Sequence, residues 1–259
     1  MKSGPLDDLK VVLINLDRST SRRATMEIRL AELGLRFERM PAFDGVGRFE
    51  ELVSTVDVKA FERNVGRRLL PGEIGCYHSH LAAWRLLLES KARTLLVLED
   101  DVVFGPDFMS ALRIALDEAD QWDFLKLNKI RAKQPVTQAW LGPYALNAYI
   151  GPATGLGAYL IKRDLVSRLL PRMLPITRPI DHELDRIHVH RFRHFGLEPF
   201  PSHVDDGNQS TITGRAFADV KKFPWYRRFA VYGLRLSNLT HRIIYLCGTG
   251  RLFKKSRRT

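Results

Sequence analysis

TLLVLEDDVVF, Thr94–Phe104, sets three successive acids, Glu99, Asp100 and Asp101, between two apolar runs. Leu95–Leu98 have the unbroken apolar character of a strand buried on both faces, and Val102–Phe104 resume it. Adjacent carboxylates repel one another, so such a stretch calls for solvent or for a cation. In the first reading the acids form a solvated turn before a helix started by Pro106, where negative charge is favourable. In the second they end a strand of an open α/β sheet, where ligands bind. There they hold a hard divalent cation, which takes oxygen ligands and substrate phosphates. The flanking apolar runs favour the second reading. Extended alternation would point Glu99 and Asp101 to one side and Asp100 to the other.

The surrounding pattern is that of an α/β domain. LKVVLINL, Leu9–Leu16, reads as a buried first strand, and Ser19 or Thr20 can cap a helix ending near Gly34. LRFERMP follows as a second strand, and strand, helix, strand at this spacing opens an α/β fold. Residues 44–72 have no clear periodicity. Ile74, Tyr77, Leu81, Trp84 and Leu88 form a helical apolar stripe that leads into the acidic strand. A helix from Asp107 to about Ala119 and strands at 123–128 and 154–161 come next, with a long loop expected over the proline-containing residues 129–153. A short helix broken by Pro171 precedes the acidic and histidine-rich run RPIDHELDRIHVHRF.

Composition narrows the class. The chain has 259 residues, 45% hydrophobic and 27% charged, with two cysteines, Cys76 and Cys247. That is no disulfide framework and fits a reducing compartment. MKSGPLDDLK lacks the apolar core of a signal peptide, and no run is long enough to span a bilayer, so a cytoplasmic protein is expected. The net charge of +12 is concentrated in Lys221–Thr259, which carries eleven Lys or Arg and no acid. A nearly neutral body argues against specific nucleic-acid binding.

VVLINLDRSTSRRATM, AFDG, LPGEIGCYHSHLAAW, LLVLEDDVVF and GAYLI occur in the order seen in glycosyltransferase family 25. Over residues 9–212 the chain resembles that family, the bacterial lipopolysaccharide or lipooligosaccharide glycosyltransferases with collagen galactosyltransferases as relatives. The resemblance implies a GT-A-like, Rossmann-type α/β domain that binds a nucleotide sugar, here over residues 1–220, with 221–259 as a basic appendage. It implies inverting transfer of a hexose, commonly galactose from UDP-galactose in a β-1,4 linkage. EDD is then the metal motif for Mn²⁺ or Mg²⁺: Asp101 the leading ligand, Glu99 facing ribose or metal, Asp100 less defined. A non-catalytic glycan- or membrane-binding module and a metal-dependent phosphohydrolase are the competing classes. Two acidic clusters argue against the first, and the lack of a second metal triplet with histidine spacing argues against the second.

Further site residues follow from the same resemblance. An inverting transfer needs a base for the acceptor hydroxyl, and Asp181 in PID is the first candidate, before Glu183 and Asp185. The bland reading is a helix N-terminus capped by Asp181. Asn15 and Arg18 end the first strand, where uracil or ribose would lie, and Arg22 or Arg23 would reach a phosphate; the alternative is solvated helix arginines. Glu73 and His80 would line the donor pocket, against a structural histidine at a helix–sheet contact, whereas His78 and His80 flank the stripe on opposite sides and cannot share a metal. His203 is a candidate third metal ligand, in a loop that departs from the family pattern, and Ser210 matches a recurrent family serine. Alternation with arginine marks HVHRFRH, His188–His194, as a surface segment. Cys76 is expected to pack within its helix.

In the tail, Trp225, Tyr226, Phe229, Tyr232 and Leu234 interleave with Arg227, Arg228 and Arg235. Basic heads on apolar sides suit an anionic membrane surface. The expected partners are a nucleotide-sugar donor, a lipid-linked oligosaccharide acceptor and the inner face of the inner membrane; the alternative is a helix packed on the domain.

Overall fold

The computed structural model describes residues 6–128, 131–205 and 220–255. Ser210 therefore lies outside the described residues. The strands are β1 (Leu9–Asn15), β2 (Glu38–Pro41), β3 (Thr94–Glu99), β4 (Val102–Phe104), β5 (Phe124–Lys126), β6 (Pro135–Leu141), β7 (Tyr144–Tyr149), β8 (Ala158–Lys162), β9 (His194–Glu198) and β10 (Ser202–Val204). The helices are α1 (Thr20–Glu32), α2 (Phe49–Leu52), α3 (Val58–Val65), α4 (Pro71–Glu89), α5 (Phe108–Asp117), α6 (Arg163–Leu169), α7 (Ile180–Leu184), α8 (Ile187–His190) and α9 (Phe229–Gly248).

Eight strands form one mixed sheet in the order β2-β1-β3-β8-β5-β9-β7-β6, and β4 pairs with β10 in a separate ribbon. β1 runs parallel to β2 and β3, with Ile14 opposite Glu99, so the carboxyl ends of β1 and β3 open at the same edge. Val11–Ile14 and Leu95–Leu98 are buried, as expected of parallel strands covered on both faces. The predicted GT-A-like α/β arrangement is present. α4 packs on β1, β2 and β3 through Ile74, Tyr77, Leu81, Trp84 and Leu87, all buried. Pro71 occupies its first turn, where a missing N–H costs nothing.

The motifs AFDG and GEIGCYHSH form one unit. A Cβ on Gly75 would lie 2.4 Å from the Phe43 carbonyl oxygen and 2.6 Å from Gly45 N, so only glycine lets the loop after β2 lie on this helix. Phe43 N–H donates to Ser79 Oγ at 2.8 Å, fixing the same contact.

Three sequence expectations are corrected. The acidic stretch is not one strand: the chain turns at Asp100–Asp101, and β4 leaves the main sheet for β10. Residues 129–153 are not a long loop, because Pro135–Leu141 and Tyr144–Tyr149 form an antiparallel hairpin around Gly142, whose φ is +57°. Pro135 and Gly142-Pro143 read as breakers, yet they sit at a strand start and a tight turn, where both residue types are at home. HVHRFRH is not a surface segment, since His190 and His194 are buried.

α9 packs on α3 and α8, with Val231, Arg242 and Leu246 buried. Its other face, with the turn before it, exposes Trp225, Tyr226, Phe229, Tyr232 and Leu236. Among the described residues no helix is long and apolar enough to cross a membrane.

Candidate active site

The turn at Asp100–Asp101 assembles the acids in three different environments. Asp100 faces β1 and α1. Asn15, 1% exposed, donates from Nδ2 to Asp100 Oδ2 at 2.6 Å and to the Ser19 carbonyl at 3.1 Å, while its Oδ1 accepts from Arg39 Nε at 3.2 Å. Arg22 Nη1 lies 3.2 Å from Asp100 Oδ1. Ser19 stands at the N-cap position of α1 without a side-chain cap bond, so Asn15 ties the helix start to the acid turn.

Glu99 faces α4. His80 Nε2 lies 3.2 Å from Glu99 Oε1, and its Nδ1 lies 2.9 Å from the Tyr159 hydroxyl, which accepts from Trp84 Nε1 at 3.0 Å. Indole nitrogen only donates. The arrangement that uses every proton runs from Trp84 to the Tyr159 oxygen, from the Tyr159 hydroxyl to His80 Nδ1, and from His80 Nε2–H to Glu99. Glu99 is thereby aimed by a chain of buried groups anchored in β8 and α4.

Asp101 stands between them. Among the described residues its Oδ1, which is buried, has no hydrogen-bond partner. Burial, then repulsion from Glu99 and Asp100, pushes its carboxyl up to about 7, against the lowering effect of Arg22. A buried carboxylate oxygen with no donor, beside two further carboxylates, is short of positive charge. That donor set fits a divalent cation.

Cys76 joins the site, although its chemistry was not legible in the sequence. Cys76, His80 and Glu99 each offer a ligand atom within 4.8 Å of the others. Burial raises the Cys76 thiol well above its usual range, and Glu99, Asp181, Glu73 and Asp101 add to the effect. Carboxylate oxygens such as those of Asp101 and Glu99 suit Mn²⁺ or Mg²⁺, whereas a thiol with an imidazole suits a softer ion.

Asp181 lies close enough to this centre to act on the same thiol. Its Oδ2 accepts from Gly155 N–H at 3.0 Å and its Oδ1 from His182 N–H at 2.8 Å. Lys126, buried on β5, donates from Nζ to the carbonyls of Thr154, at 3.1 Å, and Gly155. Burial pulls its ammonium down to about 8, while Asp181, Asp185 and Glu99 favour its charge. Lys126 therefore holds the loop whose Gly155 N–H holds Asp181. Asn128, fully buried, has no partner for either amide atom among the described residues, and its Nδ2 lies against Gly157, whose carbonyl accepts from Glu99 N–H at 2.8 Å. In the sequence Asn128 was no more than the last residue of the strand expected at 123–128.

Other predicted residues are engaged elsewhere. Arg18 is exposed and pairs with Asp44 of the AFDG loop, and Arg23 pairs with Glu27 at 2.7 Å. Glu73 is buried, with both carboxylate oxygens held by Arg67. Glu183 lies 3.0 Å from Arg178 and Arg186 and 2.8 Å from His190. Burial works to raise its carboxyl, but His190 and the two arginines hold it below the usual range, which ill suits a base. Asp185 pairs with Arg242 at 2.5 Å. His203 pairs in register with Val103 on the ribbon and is exposed, outside the ligand group that Cys76 completes. His78 lies 2.9 Å from Thr55, away from His80's partners, as its helical position predicted.

Comparison with known proteins bears on this arrangement. Residues 8–141 match the family described as Glycosyltransferase family 25 (LPS biosynthesis protein). The chain is 29% identical over 182 residues to a glycosyltransferase 25 family member of Aedes aegypti, covering 66% of this chain and 30% of that protein. It is 28% identical over 243 residues to procollagen galactosyltransferase 2 of Mus musculus, covering 78% and 38%. The chain thus spans well under half the length of these curated relatives. A solved glycosyltransferase involved in the glycosylation of the major capsid of PBCV-1 is similar at TM-score 0.40 and 11% identity, over 91% of this chain and 98% of that one. With more than half of its residues matched, the chain belongs to glycosyltransferase family 25.

Proposed function

We propose that the protein is an inverting, metal-dependent hexosyltransferase that moves galactose from UDP-galactose, in a β-1,4 linkage, onto a lipid-linked acceptor of the lipopolysaccharide type. The observation that carries this reading is the unpartnered, buried Asp101 Oδ1 among three carboxylates at the carboxyl end of β3. The procollagen galactosyltransferase relative supports galactose as the donated sugar.

Asp101 and Glu99 would hold Mn²⁺ or Mg²⁺, with Asp100 fixed beside them by Asn15 and Arg22. When bound, such a cation offsets the negative charge that grows on the departing diphosphate, an interaction strongest in the transition state. Trp84, Tyr159 and His80 keep Glu99 in position without a rearrangement during the reaction. Asp181 accepts the proton of the acceptor hydroxyl as that oxygen bonds to the anomeric carbon. The bond to UDP breaks on the opposite face, which inverts the configuration. Asn128, with an amide free to donate and accept, suits a sugar or ribose hydroxyl.

The exposed aromatic face ending at α9, beside Arg227 and Arg228, supports attachment to an anionic bilayer at the inner face of the inner membrane. Replacing Trp225, Tyr226 and Phe229 together by Ser should lower binding to phosphatidylglycerol vesicles at least tenfold; unchanged binding removes the membrane from the proposal. For the reaction, UDP release from UDP-galactose should require Mn²⁺ or Mg²⁺ and outpace release from UDP-glucose. Equal turnover in excess chelator would refute the metal-dependent reading.

A further inference from the structure

A cavity of about 350 Å³ lies between α9 and the segment 150–154. Among the described residues, five arginines line it, Arg131, Arg178, Arg186, Arg235 and Arg242, against a single lining carboxylate, Asp185. Glu183, behind the wall, pairs with Arg178 and Arg186, and Asp185 pairs with Arg242. Arg131 and Arg235, both exposed, come from different elements, and the lining still carries an excess of positive charge. The Nε of Arg186 is buried without a hydrogen-bond partner among the described residues. Guanidinium groups gathered from three parts of the chain around one space repel each other, and what relieves the repulsion is an anion that accepts forked hydrogen bonds.

The cavity shares a wall with the proposed base. Thr154 and His182 line it, while the adjoining Gly155 N–H and His182 N–H both donate to Asp181, at 3.0 and 2.8 Å. The cavity wall thus includes His182 and Thr154, neighbours in sequence of Asp181 and of the Gly155 that holds it. The volume is within the range of small-molecule sites and suits a monosaccharide carrying one charged group.

We infer that this arginine-lined cavity is the acceptor subsite and that it selects an acceptor sugar bearing a phosphate or carboxylate, the anion seated on Arg131, Arg186 and Arg235 and a hydroxyl presented to Asp181. This rests on the assignment of Asp181 as base. Anchoring the charged group away from the reacting oxygen fixes which hydroxyl meets the base, so charge recognition doubles as selection of the linkage position.

Glucose 6-phosphate serves as the probe, titrated calorimetrically into the full chain with UDP and Mg²⁺ saturating, so that the donor site is filled. Wild type should bind glucose 6-phosphate, inorganic phosphate should compete, and glucose should not bind detectably. The double variant Arg131→Gln/Arg235→Gln should bind the sugar phosphate at least tenfold more weakly, with Arg131→Lys/Arg235→Lys recovering most of the loss. Glucose binding as well as glucose 6-phosphate, or a double variant that retains wild-type affinity, would overturn the inference. So would a variant that loses only its binding to phosphatidylglycerol vesicles, which would make the arginines a lipid-headgroup contact. Metal-dependent UDP-galactose hydrolysis by wild type is read separately: its absence would defeat the donor reading while the titration still decides the cavity.

Discussion

Glu99-Asp100-Asp101 and Asp181-His182-Glu183-Leu184-Asp185 look alike on paper, two short acidic runs of three carboxylates each. Folding separates them by charge balance. In the second run Glu183 has two arginines and a histidine, Asp185 has Arg242, and only Asp181 is held by backbone N–H groups rather than a cation. In the first run Arg22 serves Asp100, His80 serves Glu99, and Asp101 keeps a buried oxygen with no partner. Buried charges persist only when compensated. The run whose compensation is incomplete is the one proposed to receive a cation; in the other, Glu183 and Asp185 are held by paired charges, and Asp181 is the proposed base.

That contrast can be broken at several points. The largest effect is expected for Asp101→Asn, which removes the charge without changing shape: transfer from UDP-galactose should fall about 1,000-fold. A fall below tenfold would place the cation elsewhere. Asp181→Asn should lower transfer by about 100-fold, as expected for loss of a general base, while leaving Mn²⁺ affinity as in wild type. Loss of metal binding in that variant would merge the two runs into one site.

Glu183→Gln should show the opposite pattern. It leaves Arg178, Arg186 and His190 short of a carboxylate, so stability in urea should drop by about 3 kcal/mol, while kcat of the folded fraction stays near wild type. A stable but inactive variant would restore Glu183 as a catalytic candidate. Tyr159→Phe removes the hydroxyl between Trp84 and His80 and should cost about tenfold in kcat through a loosened Glu99, with unfolding made easier by about 1–3 kcal/mol.

The smallest effect concerns pH. Burial, then Lys126 and Arg242, hold the His194 imidazole well below its ordinary value. Its folded pKa is depressed relative to about 6.5 in the unfolded chain. The unfolded state therefore takes up a proton first, and stability is lost as pH falls below about 6.5, at up to about 1.4 kcal/mol per pH unit. His194→Phe, packed between Phe124 and Phe192, should flatten that slope between pH 6.5 and 5 in urea titrations. An unchanged slope would assign the acid sensitivity to other groups.

The sequence carried the local signals and lost the non-local ones. β1, β3 and α4 were legible because their burial is continuous or strictly periodic. The hairpin of β6 and β7 was not, because its half-exposed edge strand and its Gly142-Pro143 turn share the composition of a loop. At the site, the acid turn and Asp181 stood out as charges in apolar surroundings. Cys76, Tyr159, Lys126 and Asn128 did not, since a thiol, a phenol, an amine and an amide on buried elements acquire roles only from partners far along the chain. Glu73 and Glu183 were indistinguishable from Asp101 until Arg67, Arg178 and Arg186 were placed around them.

The most direct measurement is Mn²⁺ binding itself, followed by electron paramagnetic resonance in the presence of UDP. Wild type should take up one Mn²⁺ per chain, and Asp101→Asn should lose it while Glu183→Gln retains it. Equal uptake by wild type and Asp101→Asn, or none by either, would contradict a cation held by the turn at the end of β3.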